Sequence, residues 1–356
     1  MRVPVVLLAG VDPAPMAATL VGLQFDLPGA VAVRHHIDVD RQVLTRTVSD
    51  ITGVLEEHET LLEHACVSCA IREDILPTLE RLARDGRWQS IVSHLPVGAE
   101  PANLCGALAW DTRLARFLRV SAVVTAASAS HPVRDLLSDD LLVDRGHHCA
   151  EEDRRGVGEV LAAMVEYADV VVFDDTPDAA AHGLVAALAR PDATVMAGSH
   201  DLDAATLTGH LHRHRRTSEW TDPTRREALP RLQAEGVWRL DLQSLQPFHP
   251  ERLLESLELL GGGNHRSRGC FWLPTRPDRA VEWDGAGGQL CIGDHAGWGR
   301  RTPFTRLVLT GVGVPPAHLR ESFDRLLMTA EEGERLSRSP DEDGFEPWLG
   351  PIRKVA

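Results

Sequence analysis

The sequence lacks the features that mark disulfide-stabilised and membrane proteins. Its 356 residues include only six cysteines, of which a single pair is closely spaced, and this usage is typical of the reducing cytoplasm. No stretch approaches the roughly 20 uninterrupted apolar residues that a membrane helix requires. At 43% hydrophobic residues, the chain is long enough for two domains with their own cores. We therefore expect a globular cytoplasmic protein without a membrane partner.

Positive charge is also scarce. The formal net charge of −15 excludes a surface that binds nucleic acid throughout, because contact with phosphates requires clustered Lys and Arg. We expect no DNA partner. One basic patch, residues 210–216, contains the alternating histidines His210, His212 and His214 and is a candidate for contact with RNA, a metal or only water.

The pattern of apolar residues predicts two domains. Over the first 200 residues, short apolar runs alternate with amphipathic stretches, which indicates an α/β fold with a mainly parallel sheet. The predicted strands are residues 3–9, 30–33, 90–93, 122–125, 170–173 and 194–197, and the predicted helices are 75–83 and 157–167. Later strands near 237–241, 270–273, 280–283, 289–292 and 305–309, with helices at 250–260 and 316–328, predict a small α+β domain. We place the domains at 1–203 and 233–335, a linker at 204–232, and a loosely packed acidic tail at 336–356.

The segment after the first strand is where a nucleotide site would begin. A phosphate-binding loop has the pattern G-x-x-x-x-G-K-[ST], in which glycine admits phosphate to the backbone, lysine neutralises charge and the hydroxyl holds magnesium. Only Gly10 fits, because Pro15, Met16 and Ala17 occupy the positions of the second glycine, the lysine and the hydroxyl. Proline also removes a backbone donor. The sequence therefore predicts a degenerate loop that does not bind phosphate.

The most reactive motif is the pair Cys66 and Cys69, at C-x-x-C spacing. Two thiolates at this spacing form half of a tetrahedral zinc site. The candidates for the other ligands are His64, His94, Glu63 and Glu73. The same spacing suits a redox disulfide if the first cysteine begins a helix, and we expect the next helix to start near Asp74. The residues alone leave both interpretations open.

Two other groups of potential ligands are less specific. A His-His-Cys run at 147–149 precedes acidic residues at 151–153, although a solvated polar loop is the commoner explanation of such a run. His35 and His36 could face the cysteines, although a half-buried histidine is the commoner case.

The combination of these motifs resembles the CobW-like P-loop GTPases, a family associated with metal insertion and with zinc or cobalt homeostasis. Cys66 and Cys69 resemble the family's C-x-C-C motif, with Ser68 in place of its middle cysteine. The family's second switch, E-x-x-G-x-x-x-P, falls on residues 94–101, where His94 and Val97 replace the glutamate and the glycine. Its guanine-reading N-K-x-D falls on Asp-Asp-Thr-Pro at 174–177. Residues 247–253, 266–277 and 287–290 resemble the CobW C-terminal domain.

The resemblance implies a P-loop GTPase-like α/β domain followed by a small α+β CobW C-terminal domain. It implies zinc at Cys66 and Cys69, with His64 and His94 as further ligands, whereas GTP is not expected because the nucleotide motifs have degenerated together.

Within the family, the chain is similar to zinc-starvation proteins that promote ribosome hibernation by recruiting a hibernation factor. We therefore expect a zinc-responsive, non-hydrolysing protein whose partner is the ribosome or a hibernation factor. The alternatives are a zinc metallochaperone that serves a client protein and retains residual GTP binding, and a thiol-disulfide oxidoreductase.

Overall fold

Two β-sheets organise the chain in the computed structural model, which describes residues 2–63, 66–329, 331–332 and 342–352. The strands of the first sheet are β1 (Val3–Ala9), β2 (Ala30–Asp38), β3 (Val43–Asp50), β4 (Gly53–Leu61), β5 (Ser90–His94), β6 (Leu118–Ala127), β7 (Val170–Phe173) and β8 (Thr194–Met196). Their order is β4-β3-β2-β5-β1-β6-β7-β8. The strands from β2 to β8 in this order are parallel, and every strand predicted for this domain is present. The α/β class is confirmed.

The central strand β1 shows why its sequence is apolar throughout. Val5 and Leu7 belong to one hydrophobic cluster, whereas Val6 and Leu8 belong to another. Because successive side chains of a strand point to opposite faces, β1 contributes to a core on each side of the sheet.

An antiparallel hairpin, β3 and β4, extends one edge of the sheet and was not predicted from the sequence. Both strands mix polar with apolar residues, and β4 is exposed along most of its length. The prediction was based on buried apolar runs, and a hairpin that is largely open to water does not produce one.

Helices cover the rest of the first domain. They are α1 (Pro13–Asp26), α2 (Val67–Ala70), α3 (Leu76–Asp85), α4 (Pro101–Trp110), α5 (Pro132–Leu137), α6 (Val157–Tyr167) and α7 (Ala179–Leu188). A π-helical turn, Ile71–Ile75, joins α2 to α3. None of the described helices is both long and apolar enough to cross a membrane.

The segment predicted as a linker contains two helices, α8 (Ala204–Gly209) and α9 (His214–Thr221). Its alternating histidines fasten it to the first domain. The buried His212 ring lies 2.8 Å from the Asp169 carboxylate, and His214 Nδ1 lies 2.5 Å from the Tyr167 hydroxyl. Two of the three histidines of the basic patch are therefore engaged in packing contacts.

The second domain is built on an antiparallel sheet, as its α+β pattern predicted. Its strands are β9 (Val237–Ser244), β10 (His265–Phe271), β11 (Arg279–Ala286), β12 (Gln289–Gly297) and β13 (Thr305–Val312), in the order β12-β11-β10-β13-β9. Its helices are α10 (Pro250–Glu255), α11 (Leu257–Gly261), α12 (His318–Leu326) and α13 (Glu346–Leu349). Trp283 is fully buried among the aromatic and aliphatic side chains of this core.

Residues 342–352 pack against the second domain, whereas the sequence predicted a loose acidic tail. Phe345 is fully buried in the second core. Two residues earlier, the Asp343 carboxylate pairs with Arg276 at 2.9 Å. One aromatic anchor and one buried ion pair thus hold the described part of the tail.

A buried cluster of charges joins the two domains. Arg266 of β10 donates to both carboxylate oxygens of Glu166 on α6, at 3.0 and 3.1 Å, and also pairs with Asp284. Arg268 contacts the same Glu166 carboxylate at 3.0 Å. The arginines hold the pKa of Glu166 below its usual value despite complete burial, so this carboxylate stays charged between them.

We predict that Glu166→Gln lowers the free energy of unfolding by about 3–5 kcal/mol, because it leaves Arg266 buried without its full counter-charge. Chemical denaturation measures the change. The matched control is Glu258→Gln on an exposed helix position, which we expect to change stability by less than about 0.5 kcal/mol. Equal effects of the two substitutions would contradict the role of the cluster.

Candidate metal centre

The cysteine pair lies at the start of a helix. Cys66 has an extended backbone, φ −153° and ψ 155°, and is the N-cap of α2. Its Sγ accepts a hydrogen bond from the backbone N–H of Cys69 at 3.3 Å. The first thiol of the pair therefore lies at a helix N-terminus, which is the placement that a redox C-x-x-C pair requires. The helix thus begins at Val67, seven residues before the predicted start near Asp74.

The two thiols interact with each other. The hydrogen bond with Cys66, followed by burial, raises the pKa of the Cys69 thiol. A guanidinium nitrogen of Arg72 lies 3.9 Å from Cys69 Sγ and adds positive charge on its other side. A cation bound by both sulfurs would displace the two thiol protons.

Asp74, in the π-helical turn, positions the thiol-bearing helix. Its buried carboxylate contacts His35 Nε2 at 3.0 Å, Arg46 Nη1 at 2.5 Å and the Thr78 hydroxyl at 3.2 Å. His35 lies on β2 and Arg46 on β3. The hydrogen bonds from these partners hold the pKa of Asp74 below its usual value against the effect of burial. The sequence offers His35 as a residue that could face the cysteines, with a half-buried histidine as the commoner case; in the structure it is buried against Asp74.

His94 ends β5 and is only 4% exposed. Burial, reinforced by the positive charge of Arg34, lowers the pKa of its imidazole to about 4. Its Nδ1 has no hydrogen-bond partner among the described atoms. A neutral imidazole with a free nitrogen is the form that binds metals.

The structure brings the two predicted cysteine ligands together, but not the other predicted ligands that it describes. Cys66 and Cys69 lie together, whereas His64 lies outside the described residues. Over the described parts of the chain, no three His, Cys, Asp or Glu side chains are arranged to hold one metal ion, so His94 is not a third ligand in this arrangement. The pair therefore supplies half of a tetrahedral site.

The other predicted ligands have structural contacts of their own. Glu73 pairs with Arg72 at 2.9 Å. The Cys149 thiol donates to the Val97 carbonyl at 3.0 Å, and burial raises its pKa to about 12, which disfavours the thiolate. Cys149 thus packs against the loop that follows β5.

The degenerate phosphate loop is replaced by helix. Asp12 caps α1 by accepting from the backbone N–H of Ala14 at 2.8 Å, so the helix begins at Pro13, inside the span that the loop would occupy. Met16 is fully buried, and a Cβ on Gly10 would come within 2.8 Å of its Cγ. Pro15 is buried beside it, and Ala17 is exposed on the helix surface. The segment predicted as a degenerate loop is therefore the capped first turn of α1, packed against Gly10 through Met16.

Family models match both domains. The model described as CobW/HypB/UreG, nucleotide-binding domain, matches residues 33–197, and the model described as cobalamin synthesis protein cobW C-terminal domain matches residues 237–327. Residues 10–17 lie outside both matches.

Related proteins extend this similarity. A Mycobacterium tuberculosis protein named zinc chaperone Rv0106 is 32% identical over 313 residues, which are 84% of this chain and 74% of that protein. A Dictyostelium discoideum protein named zinc-regulated GTPase metalloprotein activator 1 is 22% identical over 287 residues, or 74% of this chain and 60% of that protein. The crystal structure of the Zn(II)-bound YjiA GTPase from E. coli, 16% identical, aligns with 92% of this chain and all of that one at a TM-score of 0.38.

The fold and the matched domains define a two-domain protein of the P-loop GTPase type. The chain belongs to the CobW family, which confirms the resemblance predicted from the sequence motifs.

The low pKa of His94 predicts a pH dependence of stability in the metal-free protein. In the unfolded chain His94 binds a proton below about pH 6.5, whereas in the folded protein it does so only near pH 4. The free energy of unfolding therefore falls by about 3 kcal/mol as the pH is lowered across this interval. Above pH 6.5 His94 does not change the free energy of unfolding with pH.

Denaturation curves from pH 7.5 to 4 for His94→Gln test this, with the exposed His58→Gln as control. We expect the loss in acid to shrink by about 3 kcal/mol in the first variant only. Parallel curves for both variants would contradict the assignment.

Proposed function

We propose that the chain is a zinc-responsive CobW-family protein that works without hydrolysing GTP. The observation that carries the proposal is the thiol pair at the N-terminus of α2. It is supported by the segment after β1, where Asp12 caps α1 and Met16 is fully buried. Zinc is the cargo, held by Cys66 and Cys69. The remaining positions of the metal stay available to His64, to His94 after a rearrangement, or to a partner's ligand.

The sequence gives independent support for the loss of nucleotide chemistry. A phosphate loop and an N-K-x-D motif each require a lysine, but the only lysine in the sequence is residue 354, which belongs to neither motif. At the second position, Asp174 accepts a hydrogen bond from the Ala129 backbone N–H at 2.7 Å. That carboxylate is therefore used within the protein.

Without hydrolysis, no chemical step drives zinc off the pair. Occupancy then follows the free zinc concentration by mass action, which is the behaviour of a sensor. This argument favours a response to zinc limitation, in which the protein promotes ribosome hibernation by bringing a hibernation factor to the ribosome. The name of the M. tuberculosis relative supports the alternative, a zinc metallochaperone that loads a client protein. The cap position of Cys66 supports the third interpretation, a thiol-disulfide oxidoreductase.

We predict that the reduced protein binds a single zinc ion through the pair and shows no saturable binding of GTP. Metal analysis after dialysis and titration with a fluorescent GTP analogue measure the two properties. Cys66→Ser/Cys69→Ser should abolish zinc binding, whereas Cys291→Ser, which changes an exposed cysteine outside the pair, should leave it intact.

Saturable GTP binding would contradict the proposed loss of nucleotide chemistry. Zinc binding that survives in the double variant would contradict the thiol site. Absent zinc binding, combined with a reduction potential between about −270 and −120 mV, would favour the oxidoreductase.

The ribosomal role predicts binding that depends on zinc. Chelator-treated protein should co-sediment with ribosomes in the presence of a hibernation factor, and zinc-loaded protein should do so less. In Cys66→Ser/Cys69→Ser this difference should disappear, because that variant cannot change its zinc state. Zinc transfer to a metal-free client without any ribosome association would instead favour the metallochaperone.

A further inference from the structure

β4 forms a free edge of the eight-stranded sheet. β4 is its terminal strand and hydrogen-bonds only to β3 among the strands that the structure describes. The pairing of β3 with β4 shifts register between Val48 and Ser49, which affects only the first residues of β4, next to the turn. Residues 56–61 of β4 pair regularly with β3. The nine residues of β4 contain no proline. An edge strand of this length presents unpaired backbone groups to any chain that can add to it.

The side chains of β4 leave this edge accessible. Val54 is 66% exposed and Leu61 is 75% exposed, so apolar surface lies at both ends of the strand. Glu57, Glu59 and Leu61 alternate on one face, since their positions differ by two. No helix covers them in the described structure, and all three are exposed.

The charges of β4 favour a basic occupant. Arg46 and Arg81 neutralise Glu56 on the other face, at 2.6 and 2.9 Å. Glu59 has only the exposed Arg41 at 3.0 Å, and Glu57 forms no ion pair within the described residues. A second copy of the chain is disfavoured, because a two-fold antiparallel pairing about the middle of β4 sets Glu57 opposite itself or opposite Glu59. A strand with Lys or Arg at alternate positions meets Glu57 and Glu59 instead.

The edge is also close to the cysteines. Cys66 follows Leu61 by five residues, so the two Cα atoms lie within about 18 Å. On the buried side, Arg46 bridges Glu56 of β4 and Asp74 of the thiol-bearing helical segment. The strand and the cysteine pair are therefore joined both by a short stretch of chain and by these two ion pairs.

We propose that β4 is a docking strand, to which an extended basic segment of a partner protein adds as a ninth strand of the sheet. Backbone hydrogen bonds supply the affinity, and Glu57 and Glu59 select the positive charge. The inference rests on the proposed function only in that it names the surface through which the partner is recognised.

A labelled nine-residue peptide of alternating Lys and Val is the probe, and fluorescence anisotropy measures its binding to the full chain. Glu57→Lys/Glu59→Lys should weaken binding about tenfold, because two attractive cross-strand pairs become repulsive. The matched control, Glu255→Lys/Glu258→Lys, reverses two exposed carboxylates of the second domain and should leave binding unchanged.

A second peptide separates strand addition from simple charge attraction. N-methylation of two adjacent central residues removes an amide hydrogen from each edge of the peptide while its charge stays the same. We expect this peptide to lose binding, and the bound unmodified peptide to slow hydrogen exchange in residues 53–61. Equal affinity of the two peptides, or exchange that stays fast, would overturn the proposal.

The same titrations with Cys66→Ser/Cys69→Ser distinguish this inference from the zinc proposal. Strand addition uses no thiol, so the peptide should bind this variant as it binds the parent chain. Failure of the peptide to bind the zinc-competent parent chain would overturn the docking strand alone.

Discussion

The buried carboxylate of Asp74 makes the contacts that position both the thiol-bearing helical segment and the free edge of the sheet. It hydrogen-bonds to His35 of β2, to Arg46 of β3 and to the Thr78 hydroxyl of α3. A charged group at 5% side-chain exposure persists only when it is paired and fully hydrogen-bonded, and these three contacts meet that need. Arg46 also holds Glu56 of β4. One carboxylate thus fixes the helical segment that carries the thiols and, through one arginine, the free edge of the sheet.

The parts of the fold that could be predicted from the sequence are those buried on both sides. Strands such as β1 and β7 consist of apolar residues with no alternation, and such runs have few other uses in a long chain. The hairpin was missed because β4 mixes valine and leucine with three glutamates and is open to water. The helix α9 was missed because its His and Arg residues resemble a solvated segment, although Trp220 and Thr217 bury one side of it.

Part of the candidate site could also be predicted, because it depends on residues close together in the sequence. Spacing alone identified Cys66 and Cys69, and the substitutions at Pro15, Met16 and Ala17 indicated the loss of phosphate binding. The sequence could not show that α1 begins at Pro13, because this start depends on Asp12 as a cap and on the packing of Met16 against Gly10. Nor could it show the Asp74 contacts, which bring together residues separated by 28 and 39 positions.

The thiol pair and the start of α2 are the same structural element, and a series of ion pairs leads from its helical segment to β4. In the structure Cys66 Sγ caps α2 by accepting from the Cys69 N–H. The π-helical turn begins two residues after Cys69 and contains Asp74, which pairs with Arg46 of β3. Arg46 pairs in turn with Glu56 of β4. The helical segment that carries the two thiols and the strand proposed for docking are therefore linked by two consecutive ion pairs, while strand addition itself uses no thiol.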